Sequence, residues 1–299
     1  IEKKVIIEIP KWLDLEIKEF NFDGFAIKKA ITQNAETTIY TYTIENLNGN
    51  PKENYSPGPS FLYPHILFVA KSFSVKNEKK PLFSSSADLY KWYKSLVDSM
   101  KDDTTIFAEK VKELTANAKT DEEKIKNIYY WVQDNIRYIA FEDGIAGFKP
   151  DDSQNVFQKR YGDCKGMANL TKQMLKLAGF DARLCWIGTN HIVYDYSTPS
   201  LSVDNHMICA LIKDGKKYFL DGTEKYNSFG EYAQRIQGKE VLIEDGDKFI
   251  LDRIPVQKAT SNTEKSIINY VIEKETLKGK VKAEYLGESR ASFLYNYNS

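Results

Sequence analysis

The hydrophobic period of this chain changes along its length, and that change limits the folds open to it. Up to about residue 75, apolar residues alternate with polar ones in runs such as "KKVIIEI" and "TTIYTYTIENL", which read as half-buried strands. Turn-rich text, "NFDG" and "NLNGNPKENYSPGPS", separates them. After "PLFSSS" the spacing becomes helical, and from about residue 181 strands return. Strands grouped apart from helices predict an α+β protein. At 299 residues the chain is long enough for a large core and about two domains.

The helical stretch carries its own boundary signals. Ser85 or Ser86 can cap a helix running to about Met100, and a second amphipathic stretch covers Ile106 to Asn117. Thr120 with Glu123 forms a capping box, followed by apolar residues at 125, 128, 129, 132 and 136, with the helix ending near Arg137. "FEDGIAGFKPDDSQ" is a loop. A further helix then opens at "RYGDCKGMANLTKQMLKLAGF", with Asp163 as its N-cap and Gly179 where a C-cap glycine belongs.

That helix places Cys164 in a first turn. The unpaired N–H groups and the positive end of the dipole favour a thiolate there, which makes the sulfur a nucleophile. The same N–H groups can hold an oxyanion forming beside it. A buried packing cysteine remains the competing reading. It is the preferred one for Cys185 and Cys209, which sit inside the apolar runs "ARLCWIG" and "HMICALI".

A cysteine nucleophile needs a base, and the chain offers three histidines. His65, in "FLYPHIL", reads as structural; His191 reads as a loop surface residue or a substrate contact. His206 opens the strand "HMICALIK", which Asp214-Gly215 joins to "KYFLDGT" as a hairpin. With a two-residue turn, Lys213 pairs with Lys216. The register then carries back to set Ile208 opposite Asp221 and His206 opposite Thr223, all on one face. Asp221 becomes the diagonal neighbour of His206, as an imidazole-orienting group requires. A three-residue loop would invert the parity, and Asp221 can also be read as simply starting a turn. "EVLIED" and "KFILDRI" form another hairpin around Gly246.

Other chemistries find little support. Lys plus Arg equals Asp plus Glu, 42 each, so no global field draws nucleic acid or an anionic membrane. Three cysteines without a CxxC pair fit neither a disulfide framework nor a zinc ribbon. There is no G-x-S-x-G elbow and no phosphate-cradling glycine loop. No cofactor or metal is expected. The longest apolar run, "FLYPHILFVA", is too short for a membrane span of roughly 20 residues. Strand-like text at both ends predicts a segment of a longer protein.

The text from "IKNIYYWVQDNIRYIAFEDGIAGFKP" through "RYGDCKGMANLTKQMLKLAGFDARL" to "DNHMICALIKDGKKYFLDGT" resembles the bacterial transglutaminase-like superfamily over roughly residues 85 to 255. The resemblance implies a papain-like core, a cysteine-bearing helix packed on an antiparallel sheet, over residues 81–258. It also implies a preceding β-sandwich-like domain, incomplete, over 1–80 and a truncated β domain beginning at 259–299. One departure is Gly166, where many relatives read "GDCKD".

By the same resemblance Cys164 is the nucleophile, His206 the general base and acid, and Asp221 the orienter. The implied reaction is acyl transfer through a Cys164 thioester on a peptide or protein substrate, by hydrolysis of an amide. Crosslinking to an amine, as in a protein transglutaminase, and a non-catalytic scaffold keeping the fold are the alternatives. The Cys164 N–H and a second donor would hold the oxyanion; Gln154 and Gln158 lie upstream but read as ordinary helix-surface residues. An exported or periplasmic location is also implied, and oligomeric state is left open.

Overall fold

The computed structural model describes residues 2–49, 53, 56–76 and 78–298. In chain order the first elements are β1 (Lys3–Pro10), β2 (Leu13–Phe20), β3 (Lys28–Gln33), β4 (Thr37–Ile44), the short α1 (Pro59–Leu62), β5 (His65–Val75), β6 (Glu78–Pro81) and α2 (Ser86–Asp98). Next come α3 (Ala108–Thr115), α4 (Asp121–Asn135), β7 (Arg137–Tyr138), α5 (Ser153–Lys159), β8 (Tyr161–Gly162), α6 (Cys164–Leu177) and β9 (Asp181–Ile187). The chain continues through β10 (His206–Lys213), β11 (Lys216–Leu220), β12 (Glu240–Asp245), β13 (Lys248–Arg253), β14 (Thr263–Glu273), β15 (Thr276–Leu286) and α7 (Glu288–Tyr297). The protein is thus α+β, as its periodicity predicts.

Two compact units share the chain. The first comprises the described residues of Ile1–Asp98, Trp186–His206 and Lys239–Asp252. It holds two three-stranded antiparallel sheets, ordered β1-β4-β3 and β2-β5-β6. A polar tie runs between them: the Tyr42 hydroxyl of β4 donates to Glu19 of β2 at 2.6 Å, and Lys29 of β3 reaches the same carboxylate. Removal of Tyr42 from water, then its bond to Glu19, push the phenol up to about 12. Within this unit α2 packs through aromatic rings. Tyr93 stacks on Trp186 with centroids 5.0 Å apart, and Tyr90 meets Trp186 and, from β13, Phe249.

The second unit comprises Ser99–Cys185, Met207–Gly238 and Arg253–Ser299. Its core gathers α3, α4, α5 and α6 against strands ordered β11-β10-β9. Ile125, Ile128, Tyr129 and Val132 of α4 meet Met167, Leu170, Met174 and Leu175 of α6, all essentially buried. The capping expectations hold with one adjustment. The Thr120 side chain accepts from the Glu123 N–H at 3.1 Å, but Glu123 reaches back to the N–H of Lys119, not of Thr120. Gly179 follows α6 at φ +89°, the left-handed conformation expected of it.

The β10–β11 hairpin has the expected turn. Asp214 and Gly215 both have positive φ, and the ladder runs from Lys213 opposite Lys216 to Cys209 opposite Leu220. Beyond β13 the chain forms the β14–β15 ribbon, whose side chains are almost all exposed. The last element is a helix where the sequence reads as strand. α7 is anchored locally: Arg290 bonds the Tyr226 carbonyl and Glu231, and Glu288 accepts from the Gln234 N–H. Those anchors lie over 50 residues upstream, out of reach of any periodicity argument. No described helix is long and apolar enough to cross a membrane.

Candidate active site around Cys164

Cys164 is the first residue of α6 and is buried. Asp163 caps the helix, its Oδ1 accepting from the Gly166 N–H at 2.9 Å. The Asp163 carboxylate also pairs with Lys165, and both side chains are under a tenth exposed. The ammonium offsets the charge of the capping carboxylate.

Two attachments hold this helix start in place. First, β8 pairs in parallel with β7, immediately after α4: the Arg137 N–H donates to the Arg160 carbonyl and the Ile139 N–H to that of Gly162, each at 2.9 Å. Second, α5 packs beneath. A Cβ built at Gly166 would come within 2.9 Å of Val156 Cγ2, so the missing side chain is what lets α5 approach. This gives a packing reason for the departure from "GDCKD".

Asp221 lies one residue past the end of β11. It starts a turn in which its Oδ1 accepts from the Thr223 N–H at 3.1 Å and the Thr223 hydroxyl at 2.7 Å. The turn is bound to α4. Tyr129 donates to the Asp221 carbonyl at 3.1 Å, and Gln133 Nε2 donates to the carbonyls of Glu224 and Asn227 at 2.6 and 3.1 Å. It also rests on α6, since a Cβ at Gly222 would meet Val132 at 3.3 Å and Met167 at 3.7 Å. Asp221 and the helix carrying Cys164 therefore belong to one packed assembly.

His206 is the first residue of β10 and is buried. The described β10–β11 ladder ends at Cys209 opposite Leu220, so Thr223 belongs to the Asp221 turn and not to a strand. The remaining candidates fall into structural places. His65 stacks on Phe20 with centroids 5.2 Å apart. His191 is exposed, and its carbonyl accepts from the Ser60 hydroxyl. Cys185 and Cys209 are fully buried. Gln154 uses both ends of its amide on the 101–103 segment, accepting from the Asp103 N–H and donating to the Lys101 carbonyl. Gln158 is exposed. Among the described residues, no group of three or more His, Cys, Asp or Glu side chains is placed to hold a metal ion.

Two residues that sequence reasoning did not single out stand at this site. Arg235 donates to Asp221, Thr223 and Glu224 at 3.0, 2.8 and 2.7 Å. Partial burial works against its charge, but attraction to Asp221, Glu224 and Cys164 outweighs that, and its pKa lies above the usual value. Tyr138, in β7, has its phenol pushed up by burial, then by the neighbouring Cys164, Glu142 and Asp163. Tyr138 lies in the "DNIRYIAF" text, but neither its spacing nor that of "YAQRIQG" around Arg235 marks a site residue.

The model of the transglutaminase-like superfamily matches residues 108–208, which include Cys164 and His206 but not Asp221. Over that segment the chain is similar to the transglutaminase-like superfamily. A candidate protease from Parabacteroides distasonis superposes with a TM-score of 0.59 at 18% identity, over 85% of this chain and 45% of its own. The chain thus spans less than half of that protein, and at this identity the likeness is one of fold. A candidate cysteine protease from Cytophaga hutchinsonii aligns at 10% identity and a TM-score of 0.33, over 94% of this chain and 87% of its own. No curated protein matches the chain.

Proposed function

We propose that the protein is a thiol-dependent acyl-transfer enzyme that hydrolyses a peptide or other amide through a Cys164 thioester. The observation that carries this is Cys164 at the capped start of α6, a helix against which the Asp221 turn packs. In this reading the Cys164 thiolate adds to the amide carbonyl, and N–H groups of the first helical turn stabilise the oxyanion. Collapse breaks the C–N bond, and His206, protonated when the thiolate formed, gives its proton to the leaving amine. Water, deprotonated by His206, then attacks the thioester, releasing a carboxylic acid and returning the thiol. Asp221 orients the imidazole.

The test is a substrate screen followed by intact-mass trapping. A set of peptide amides is incubated with the protein, with and without a primary amine, and acylation is sought on the Cys164 peptide. An adduct on Cys164, turnover to free acid and loss of both in Cys164→Ala support hydrolysis. Amide product in place of acid would assign the enzyme to crosslinking chemistry instead. Turnover that survives Cys164→Ala would sink the thiol mechanism.

A further inference from the structure

We propose that Arg235 is a positioning residue of the thiol site, its guanidinium fork holding Asp221, Thr223 and Glu224 in one arrangement. This rests on the reading of Cys164 and Asp221 as site residues.

The geometry is that of a fork that closes a loop. One terminal nitrogen, Nη2, donates to Asp221 Oδ2 at 3.0 Å and to Thr223 Oγ1 at 2.8 Å. Nε donates to Glu224 Oε1 at 2.7 Å. The Thr223 hydroxyl passes its own proton toward Asp221 Oδ1 at 2.7 Å, so donors run in one direction, from guanidinium through hydroxyl to carboxylate. Both Asp221 oxygens are thereby tied in place. A lysine could supply the charge but not several fixed donors at once. The Asp221 side chain is 5% exposed and that of Arg235 36%, so the carboxylate end of the pair is shielded from water and the guanidinium end only partly. Glu224 is itself held through its carbonyl by Gln133 of α4, which fixes the far end of the fork to a buried helix. Cys164 lies within electrostatic reach of the same guanidinium.

The experiment is iodoacetamide labelling of the full chain, read at the Cys164 peptide by mass spectrometry under mildly acidic and alkaline conditions. The wild type and variants Arg235→Gln, Arg235→Lys and Arg235→Ala are compared, each checked for folding by thermal melting. Arg235→Gln should slow Cys164 labelling about tenfold in mild acid, where thiolate supply limits the rate, and leave it within about twofold in strong alkali. Arg235→Lys should recover only part of the loss. An alkylguanidinium added to Arg235→Ala should restore labelling in acid, which a purely structural role would not allow.

Labelling of folded Arg235→Gln that matches the wild type under both conditions would overturn the proposal. So would full recovery in Arg235→Lys, which shows that charge suffices without the fork. If Arg235→Gln does not fold, Arg235→Lys and Thr223→Val decide in its place. Thr223→Val, which removes the hydroxyl link, should slow acid labelling, and wild-type behaviour in both would refute the fork. A wild type that labels in acid no faster than a small free thiol indicts the Cys164 reading and not Arg235.

Discussion

The Tyr93 hydroxyl donates to both carboxylate oxygens of Asp204, at 2.9 and 2.8 Å, and Tyr196 adds a third bond at 3.0 Å. Both tyrosines are almost wholly buried, and although Asp204 is partly exposed as a residue, its carboxylate is enclosed by them. Removal from water pushes Asp204 up to about 7, and the tyrosine bonds pull the other way without prevailing. A folded-state value above the unfolded one of about 3.9 means that the native state holds a proton that the unfolded chain releases. Its favourable contribution is therefore complete at acid pH and is lost as pH rises toward about 7. Asp204→Asn cannot ionise. The melting temperature of the wild type minus that of Asp204→Asn should fall as pH rises from about 5 to about 8. A flat difference would refute the shift.

Gly166 and Val156 form a second testable pair. In a helix, glycine to alanine ordinarily gains stability, about 0.5–1 kcal/mol. Here the new methyl would meet Val156 Cγ2 at 2.9 Å, and Val156 is fully buried and cannot swing aside. Gly166→Ala should cost about 1–3 kcal/mol instead. Combining it with Val156→Ala should be less damaging than the two single costs together, by about 1 kcal/mol in urea unfolding. Strict additivity would show that the two do not clash.

The β10–β11 turn offers a change with no steric partner. A Cβ at Gly215 would meet nothing within 4 Å, yet φ is +73°. Gly215→Val should therefore cost about 1–2 kcal/mol through backbone strain alone. Asp214→Asn, which tolerates positive φ, should stay within about 0.5 kcal/mol by denaturant midpoint. A neutral Gly215→Val would mean that the turn is not the two-residue type.

Tyr129→Phe probes the attachment of the Asp221 turn. Loss of the hydroxyl leaves the Asp221 carbonyl without its donor from α4, at a cost of about 1–3 kcal/mol. Turnover should fall with the substrate KM little changed, because the turn and not the binding surface is loosened. An unaltered turnover number in a destabilised Tyr129→Phe would separate stability from site geometry.

Much of this was legible in the text because it is local. Capping at Thr120 and Asp163, the helical faces of α4 and α6 and the Asp214-Gly215 turn depend on residues a few positions apart. What escaped depends on distant partners. The pairing of β1 with β4 and of β2 with β5 skips intervening strands, and no period encodes that. Arg235 lies in text without helix or strand pattern, and its place at the site follows from tertiary folding. Asp204 looks like a loop residue until Tyr93, 111 positions away, is brought to it. The Asp221 turn mixes the two: an aspartate directly after an apolar strand is readable locally, whereas its bond to Arg235, 14 positions on, is not.

Most of α6 is buried, from Cys164 through Leu175, including the polar Asn169 and Thr171. A helix enclosed on nearly every side should exchange its amide hydrogens with solvent only when much of the second unit opens. Cys164 then rides on one of the slowest-opening segments of the molecule. In the proposed reaction the sulfur would be a fixed point, and adjustment to differently shaped substrates would fall to the loops around it.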